Sequence, residues 1–325
     1  MKNYTVKQYQ ESDFDSWNTF VSQSKNATFL FNRHFINYHG DRFEDFSLMV
    51  FEDQKIVAVL PANRVGDCIY SHQGLSYGGL VYKEKLKLAS VITIFRLVLS
   101  HLNKNNINKA FFKLLPSIYH QKPADEFSYA LFLAEAQLTR RDALSVIDLS
   151  KPFRYSKIRL RCIQKGKNNN LIVKEEDDFE VFWNQILIPN LKARHHTKPV
   201  HSLEEIRLLK KRFDKNIRQF NVYFEDKIVA GTTIFESENV AHCQYISKFE
   251  ENENFGSLDF LFDYLIQEVF ASKRYFDFGN SNENNGKILN KGLSYWKESF
   301  GANCITQDFY EVATIHYSKL ENVFK

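Results

Sequence analysis

Apolar residues in the last third of the chain fall at Leu258, Leu261, Phe262, Leu265, Ile266 and Val269. That i, i+3, i+4, i+7 spacing predicts a helix with one buried face, and Ser257 is placed to cap it. A second periodic stretch covers residues 86–102. Shorter runs of β-branched and aromatic residues predict two hairpins, 46–51 with 55–62 and 220–224 with 227–235, each turning through Glu-Asp. Further strands are expected at 4–9, 109–115, 138–149, 171–175, 275–279 and 305–312. The acidic residues near Asp13 and Asp177 suit helix starts.

The elements form the order β-αα-βββ-α-β-α-β, and the order occurs twice. Short sequence echoes follow it. Phe51-Glu-Asp-Gln-Lys-Ile-Val-Ala58 returns as Phe224-Glu-Asp-Lys-Ile-Val-Ala230, and Asp13-Phe-Asp-Ser-Trp-Asn18 as Asp178-Phe-Glu-Val-Phe-Trp-Asn184. Val65-Gly-Asp-Cys-Ile-Tyr70 parallels Val240-Ala-His-Cys-Gln-Tyr245. Repetition at this scale signals a duplicated unit. The expected fold is α/β, a mixed α+β sheet in two tandem domains, 1–150 and 171–325. Residues 151–170, with seven Lys or Arg and no acid, are expected to join them as a linking basic helix.

Composition changes this picture little. The 325 residues suit about two domains, and 44% apolar with 25% charged content is that of an ordinary globular protein. The 15% aromatic share, with 30 Phe, reads as core filling at periodic positions rather than a stacking surface. The start has no apolar run after its lysine, and no stretch is long enough to span a bilayer. Cys68, Cys162, Cys243 and Cys304 are too scattered for zinc spacing or a disulfide framework. A cytoplasmic protein without a structural metal is expected.

Charge is uneven. The net +4 divides into +2 for residues 1–150 (17 basic, 15 acidic), +9 for 151–219 (17 and 8) and −7 for 220–325 (9 and 16). A basic middle suits a phosphorylated partner, and equally a solvated helix face at 206–218.

The residues of the second copy resemble the FemAB-like branch of the tandem GNAT acyltransferases. They are Arg194-His195, Pro199-Val-His201-Ser202, His242-Cys-Gln-Tyr245 and Tyr275-Phe-Asp-Phe-Gly279. Above all, Leu289-Asn-Lys-Gly-Leu-Ser-Tyr-Trp-Lys-Glu-Ser-Phe-Gly301 is similar to the Fem signature Gly-Leu-x-x-Phe-Lys-x-x-Phe-Gly, with Trp296 for Phe. The resemblance implies N-acyl transfer from an acyl-coenzyme A donor to an amine of a sugar- or nucleotide-linked cell-envelope precursor. Aminoacyl transfer from tRNA to a peptidoglycan precursor is the alternative, and a non-catalytic binding module of this fold is a third reading. DNA is not an expected partner, and an RNA binder lacks a recognition signature.

The resemblance gives Lys297 the role of a cation that stabilises the tetrahedral species of acyl transfer. Leu293, Trp296 and Phe300 form a helical seam with Lys297 at its edge, so the competing reading is a surface lysine lying over Trp296. Arg194, His195 and His201 are candidates for the acceptor cleft. Alternation places His242 and Gln244 on one strand face and Tyr245 on the other. Asp277, Asn280 and Ser281 lie at a strand end, where α/β sheets take ligands. In the first copy, His72, Gln73, Gly78 and Gly79 belong to a glycine-rich loop, 71–79, whose N–H groups suit an anion. Its counterpart is expected at 249–256, where three glutamates would repel a pyrophosphate.

Overall fold

The computed structural model describes residues 3–249 and 255–325, the side chain of His195 excepted. The chain forms two compact units. Unit 1 comprises Met1–Asp142, Asn285–Lys287 and Thr306–Lys325; unit 2 comprises Ala143–Asn284 and Ile288–Ile305.

Unit 1 contains β1 (Tyr4–Gln8), α1 (Phe14–Ser22), α2 (Arg33–Ile36), β2 (Glu44–Asp45), β3 (Leu48–Glu52), β4 (Lys55–Leu60), β5 (Asn63–Val65), β6 (Cys68–Tyr70) and β7 (Val81–Tyr82). It continues with α3 (Leu88–Lys104), β8 (Lys109–Lys113), α4 (Glu126–Leu133) and the first half of β9 (Gln137–Asp148). Strands β2–β3 and β4–β5 make one hairpin that is interrupted at Ser47 and Pro61. Proline has no N–H to give the ladder. The Ser47 hydroxyl instead takes the Ala62 N–H at 3.2 Å. The core packs α3, through Val91, Ile94, Phe95, Val98 and Leu102, against Leu48, Val50, Ala58, Ile69, Ala110 and Phe112.

Unit 2 runs through α5 (Lys157–Asn168), β10 (Ile172–Glu176), α6 (Glu180–Phe182), α7 (Ile188–His195), α8 (Leu203–Arg212), β11 (Ile217–Phe224), β12 (Lys227–Glu236) and β13 (Val240–Lys248). It continues with α9 (Ser257–Tyr264), β14 (Tyr275–Asn280), the short pair β15 (Asn282–Glu283) and β16 (Ile288–Leu289), α10 (Lys291–Glu298) and the start of β17 (Asn303–Ala313). One sheet face packs on α9 and the π-helical turn Leu265–Val269 that continues it, through Leu261, Phe262, Leu265 and Ile266, with Phe276, Phe278 and Phe300. The predicted cap differs: Gly256, in the left-handed region at φ 66°, precedes the helix, and Ser257 is its first residue.

The duplication is visible in hydrogen-bond register. Val50 pairs with Ala58 as Val222 pairs with Ala230, and in both hairpins a bulge follows that pair. The turn residues Asp53 and Glu225 both adopt positive φ, 55° and 51°. Asn63 pairs with Tyr70 as Phe235 pairs with His242. This register corrects two expectations. Tyr70 is the counterpart of His242, so the Val-x-x-Cys-x-Tyr echo is out of structural step. The loop 71–79 lies within the third strand of its copy, because β7 returns to pair with β4. It is therefore not the counterpart of 249–256. The acids of that segment, Glu250, Glu251 and Glu253, lie outside the described residues.

The compact units also depart from the continuous segments 1–150 and 171–325. The strand that completes the unit 2 sheet beside β14 is the second half of β9, where Ile147 pairs with Phe276. Beside β8 in unit 1, the completing strand is the second half of β17, where Val312 pairs with Ala110. The basic helix expected as a linker is α5, and it is packed within unit 2. Arg159 is buried, forms an ion pair with Asp259, and lies 4.7 Å over the Phe300 ring.

Helix α5 approaches α9 closely at Gly166, where an added Cβ would stand 2.5 Å from Phe260 Cβ. Gly166→Ala should therefore destabilise the fold by about 1–3 kcal/mol, read as a lowered urea midpoint at unchanged m-value. An unchanged midpoint would show that the helices part freely.

Candidate functional site

In unit 2, β13 and β14 run parallel for only three paired positions, ending at His242 with Asp277. Beyond them, β13 stays on β12 as far as Lys248, whereas β14 shifts register and continues along β9, Asn280 opposite Leu144. The two strands part, and the edge of β13 beyond His242 forms no ladder with β14. A bulge adds to this: Thr233 faces Tyr245 and Ile234 faces Cys243, which leaves Gln244 without a ladder partner. Bulges bend a strand and re-aim side chains. Cys243 and Ile246 accordingly both meet the α9 core, and Tyr245 turns to the opposite side. The simple alternation expected for Gln244 and Tyr245 fails for that reason.

At the point of parting lies a compact polar cluster. Asp277 is 1% exposed. One carboxylate oxygen accepts the Gly279 N–H at 2.7 Å and the other bonds His242 Nδ1 at 2.9 Å. Gly279 adopts φ 71°, a left-handed conformation that favours glycine and turns the chain that follows it. Lys297 is 2% exposed, which removes the surface-lysine reading. Its ammonium donates to the carbonyls of Gly279, at 3.0 Å, and Asn280. Burial holds Lys297 down to about 8, against the attraction of Asp277. Burial also pushes the nearby Cys243 thiol up.

The motif around Lys297 has a structural account. Trp296 packs edge-on against Phe262, Phe278 and Phe300. Gly301 ends the helix at φ 89°, its N–H on Glu298 O at 2.8 Å. Ser299 Oγ accepts Arg159 Nε at 2.9 Å. These contacts orient α10 so that Lys297 points inward. Leu293, expected in the seam, is exposed.

A second group lies on the α6–α7 side of β13. The Tyr245 hydroxyl meets His201 Nδ1 at 2.7 Å and accepts the His201 N–H at 3.2 Å. Both residues are buried, and burial pushes Tyr245 up to about 12. Trp183 packs edge-on at 5.1 Å from the Tyr245 ring. Its buried indole N–H, the Gln244 side-chain carbonyl and the Ser281 hydroxyl have no hydrogen-bond partner among the described residues. Sequence reasoning missed Trp183, although its echo of Trp17 marks it. Arg194 is exposed at the end of α7, and Asn280 is exposed beyond the cluster.

The equivalent place in unit 1 is closed. Gly78 pairs with Leu114 beside the end of β8, its N–H on Lys113 O at 2.5 Å. The N–H groups of Ser71 and Gln73 are likewise bonded, to Phe111 O and Asn63 Oδ1. Gln307 Nε2 holds the Ser76 carbonyl at 3.0 Å. The backbone amides of Ser71, Gln73 and Gly78 are therefore engaged within the protein. Gly78 is required by closeness: a Cβ would stand 2.0 Å from Ser71 O. Gly79 takes φ 100°. His72 is buried and stacked on His39 at 5.1 Å between ring centroids, and burial holds it down to about 3.

Equivalent positions sharpen the contrast. Where unit 2 pairs His242 with Asp277, unit 1 pairs Tyr70 with Phe111, their rings stacked at 4.7 Å. Counting back one helical turn from the positive-φ residues Gly301 and Glu135 sets Lys297 against Leu131, a core residue. The fold is thus built with Tyr, Phe and Leu at these three positions in one unit and with His, Asp and Lys in the other.

Part of the basic middle is paired. Arg207 binds Asp178 and Glu180, Lys210 binds Asp177, and Arg218 binds Glu175 and Glu236. Among the described residues, no group of three or more His, Cys, Asp or Glu could hold a metal ion, and no helix is long and apolar enough to cross a membrane.

Lowering a lysine from its ordinary 10.5 to about 8 amounts to roughly 3 kcal/mol. The unfolded chain then binds more protons than the native one between those values, so this burial cost is full below pH 8 and vanishes as pH rises through 10.5. Stability of the wild type relative to Lys297→Leu should rise across that window, measured by urea unfolding at pH 7.5 and pH 10. A constant difference would mean that the ammonium is not buried.

No protein-family model and no curated protein matches the chain in sequence. Among solved structures it is similar to FemX, at 8% identity and a TM-score of 0.67 over 98% of this chain and 99% of that one. It is similar also to L-PGS from Bacillus licheniformis (11%, 0.60, 94% and 92%) and to a tandem GNAT protein from the clavulanic acid biosynthesis pathway (10%, 0.53, 96% and 99%). Together with the repeated register, these likenesses show that the chain has the FemAB-like tandem GNAT fold.

Proposed function

We propose that the chain is a cytoplasmic N-acyltransferase whose unit 2 passes an acyl group from a coenzyme A thioester to an amine. The observation that carries this reading is Lys297, an ammonium buried where β13 and β14 part. Attack of an amine on a thioester puts negative charge on the carbonyl oxygen, and a desolvated cation stabilises that charge far better than one in water. Two of its three N–H groups meet backbone carbonyls, which leaves one for substrate. The edge of β13 beyond His242 suits a donor arm bearing amides, which can add to it as a strand would.

For the acceptor, the reading is a sugar- or nucleotide-linked envelope precursor. Asn190 is tied to Ser247 Oγ and Lys248 O of β13 at 2.8 and 2.6 Å, and Lys192, Arg194 and Lys198 follow it on the exposed surface. Cations there suit a phosphorylated amine. A second reading is aminoacyl transfer from tRNA to a peptidoglycan precursor. Supplying either donor with the same amines distinguishes the two.

The test is amine-dependent release of free coenzyme A with acetyl-coenzyme A and a panel of amino sugars and their nucleotide conjugates. Wild type should turn over, and Lys297→Ala should lower kcat by about 10²–10³-fold while remaining folded. Undiminished turnover in that variant would remove Lys297 from the chemistry.

A further inference from the structure

We propose that His242 is the general base of the transfer and that Asp277 is the positioning residue that holds it ready. The assignment rests on acyl transfer by unit 2, and its first support is geometric. Asp277 has both carboxylate oxygens committed, one to Gly279 N–H and one to His242 Nδ1. A carboxylate there fixes the proton on Nδ1 and leaves Nε2 with its lone pair. Nε2 has no hydrogen-bond partner among the described residues, and the His242 side chain is 20% exposed while Asp277 is sealed. His242 is also the last residue of β13 to pair with β14, so the imidazole stands at the mouth of the gap.

The second support comes from the other copy. Unit 1 closes the same strand pair with stacked Tyr70 and Phe111. The fold therefore does not need a buried carboxylate there. Burying one is costly unless it is paired and hydrogen-bonded, and an aromatic pair without a carboxylate is available to the same architecture. The His–Asp pair accompanies Lys297, and the aromatic pair accompanies Leu131 and a loop that fills the gap. Chemistry is what distinguishes the two.

The surroundings suit a base. Asp277 faces the ring from β14, and Lys297 reaches the same strand end from α10. Cys243 follows on β13, its thiol kept protonated by burial. Opposite His242 on β12 stands Phe235, and His201 lies beyond that ring at 5.9 Å. His201 is a weaker candidate, because its Nδ1 is engaged by Tyr245 and its ring is sealed.

In the step this assigns, the acceptor amine loses one proton to His242 Nε2 as its nitrogen forms a bond to the thioester carbonyl carbon. The tetrahedral species then breaks its carbon–sulfur bond. The thiolate leaves with that electron pair and takes the proton back from the imidazolium. An amide and a free thiol result. Asp277 stabilises the imidazolium and remains ionised.

The test measures amine-dependent thiol release against pH. Wild-type kcat/KM should fall on the acid side as His242 is protonated. His242→Ala should lose about 10²-fold or more in kcat, lose that acid limb, and regain rate on addition of imidazole. Asp277→Asn removes the charge that favours the imidazolium, so it should lower kcat and move the limb to lower pH with the donor KM unchanged. His242→Gln, which keeps a polar side chain of similar reach, serves where the alanine variant does not fold. A wild type inactive with every amine would defeat the transfer reading and the base with it. Wild-type turnover that persists in His242→Gln or His242→Ala with the acid limb intact would overturn the base alone.

Discussion

A carboxylate sealed between two parting strands is the feature on which the rest of unit 2 depends. Asp277 can be buried because a histidine ring and a backbone N–H meet its two oxygens. Gly279 itself adopts a left-handed conformation, which favours glycine. The same turn aims the Gly279 and Asn280 carbonyls at Lys297. One local arrangement thus ends the parallel pairing, opens the edge of β13, and gathers an acid, an imidazole and an ammonium at the opening. The Arg159–Asp259–Trp296 contacts hold α10 so that the ammonium reaches it.

Unit 1 shows what the fold becomes without that arrangement. Its hairpin is interrupted at Pro61 and its third strand is split by the 71–79 loop. The loop returns Gly78 to the place where a gap would be. Donors from Gln307 and Lys113 fix the loop carbonyls. Its core, like that of unit 2, is a continuous cluster of buried apolar residues. Duplication has supplied one unit with a closed sheet and the other with an open one.

Much of this was legible in the sequence, and for identifiable reasons. The Ile-Val-Ala echo sits in the hairpin whose bulge and left-handed turn residue recur in both copies, so local chemistry and register agree. Lys297 was marked by its motif. Its burial was not, because the groups that accept its hydrogen bonds belong to a strand end whose course tertiary packing decides. The same holds for His242 and Asp277, which meet only through parallel strands separated by α9. The third strand was misaligned because Cys and Tyr recur at similar spacing on two backbones, one bulged by a residue and the other opened into a loop. The final strands could not be assigned from order alone, since β9 and β17 each divide between units.

On the proposed reading, three side chains confer the chemistry of unit 2, and the fold that carries them does not. That reading is tested most directly by grafting the unit 1 residues: the triple variant His242→Tyr, Asp277→Phe, Lys297→Leu, compared with wild type in amine-dependent thiol release. The variant should fold cooperatively and show no measurable release beside an active wild type. A folded variant that releases thiol at the wild-type rate would contradict the reading.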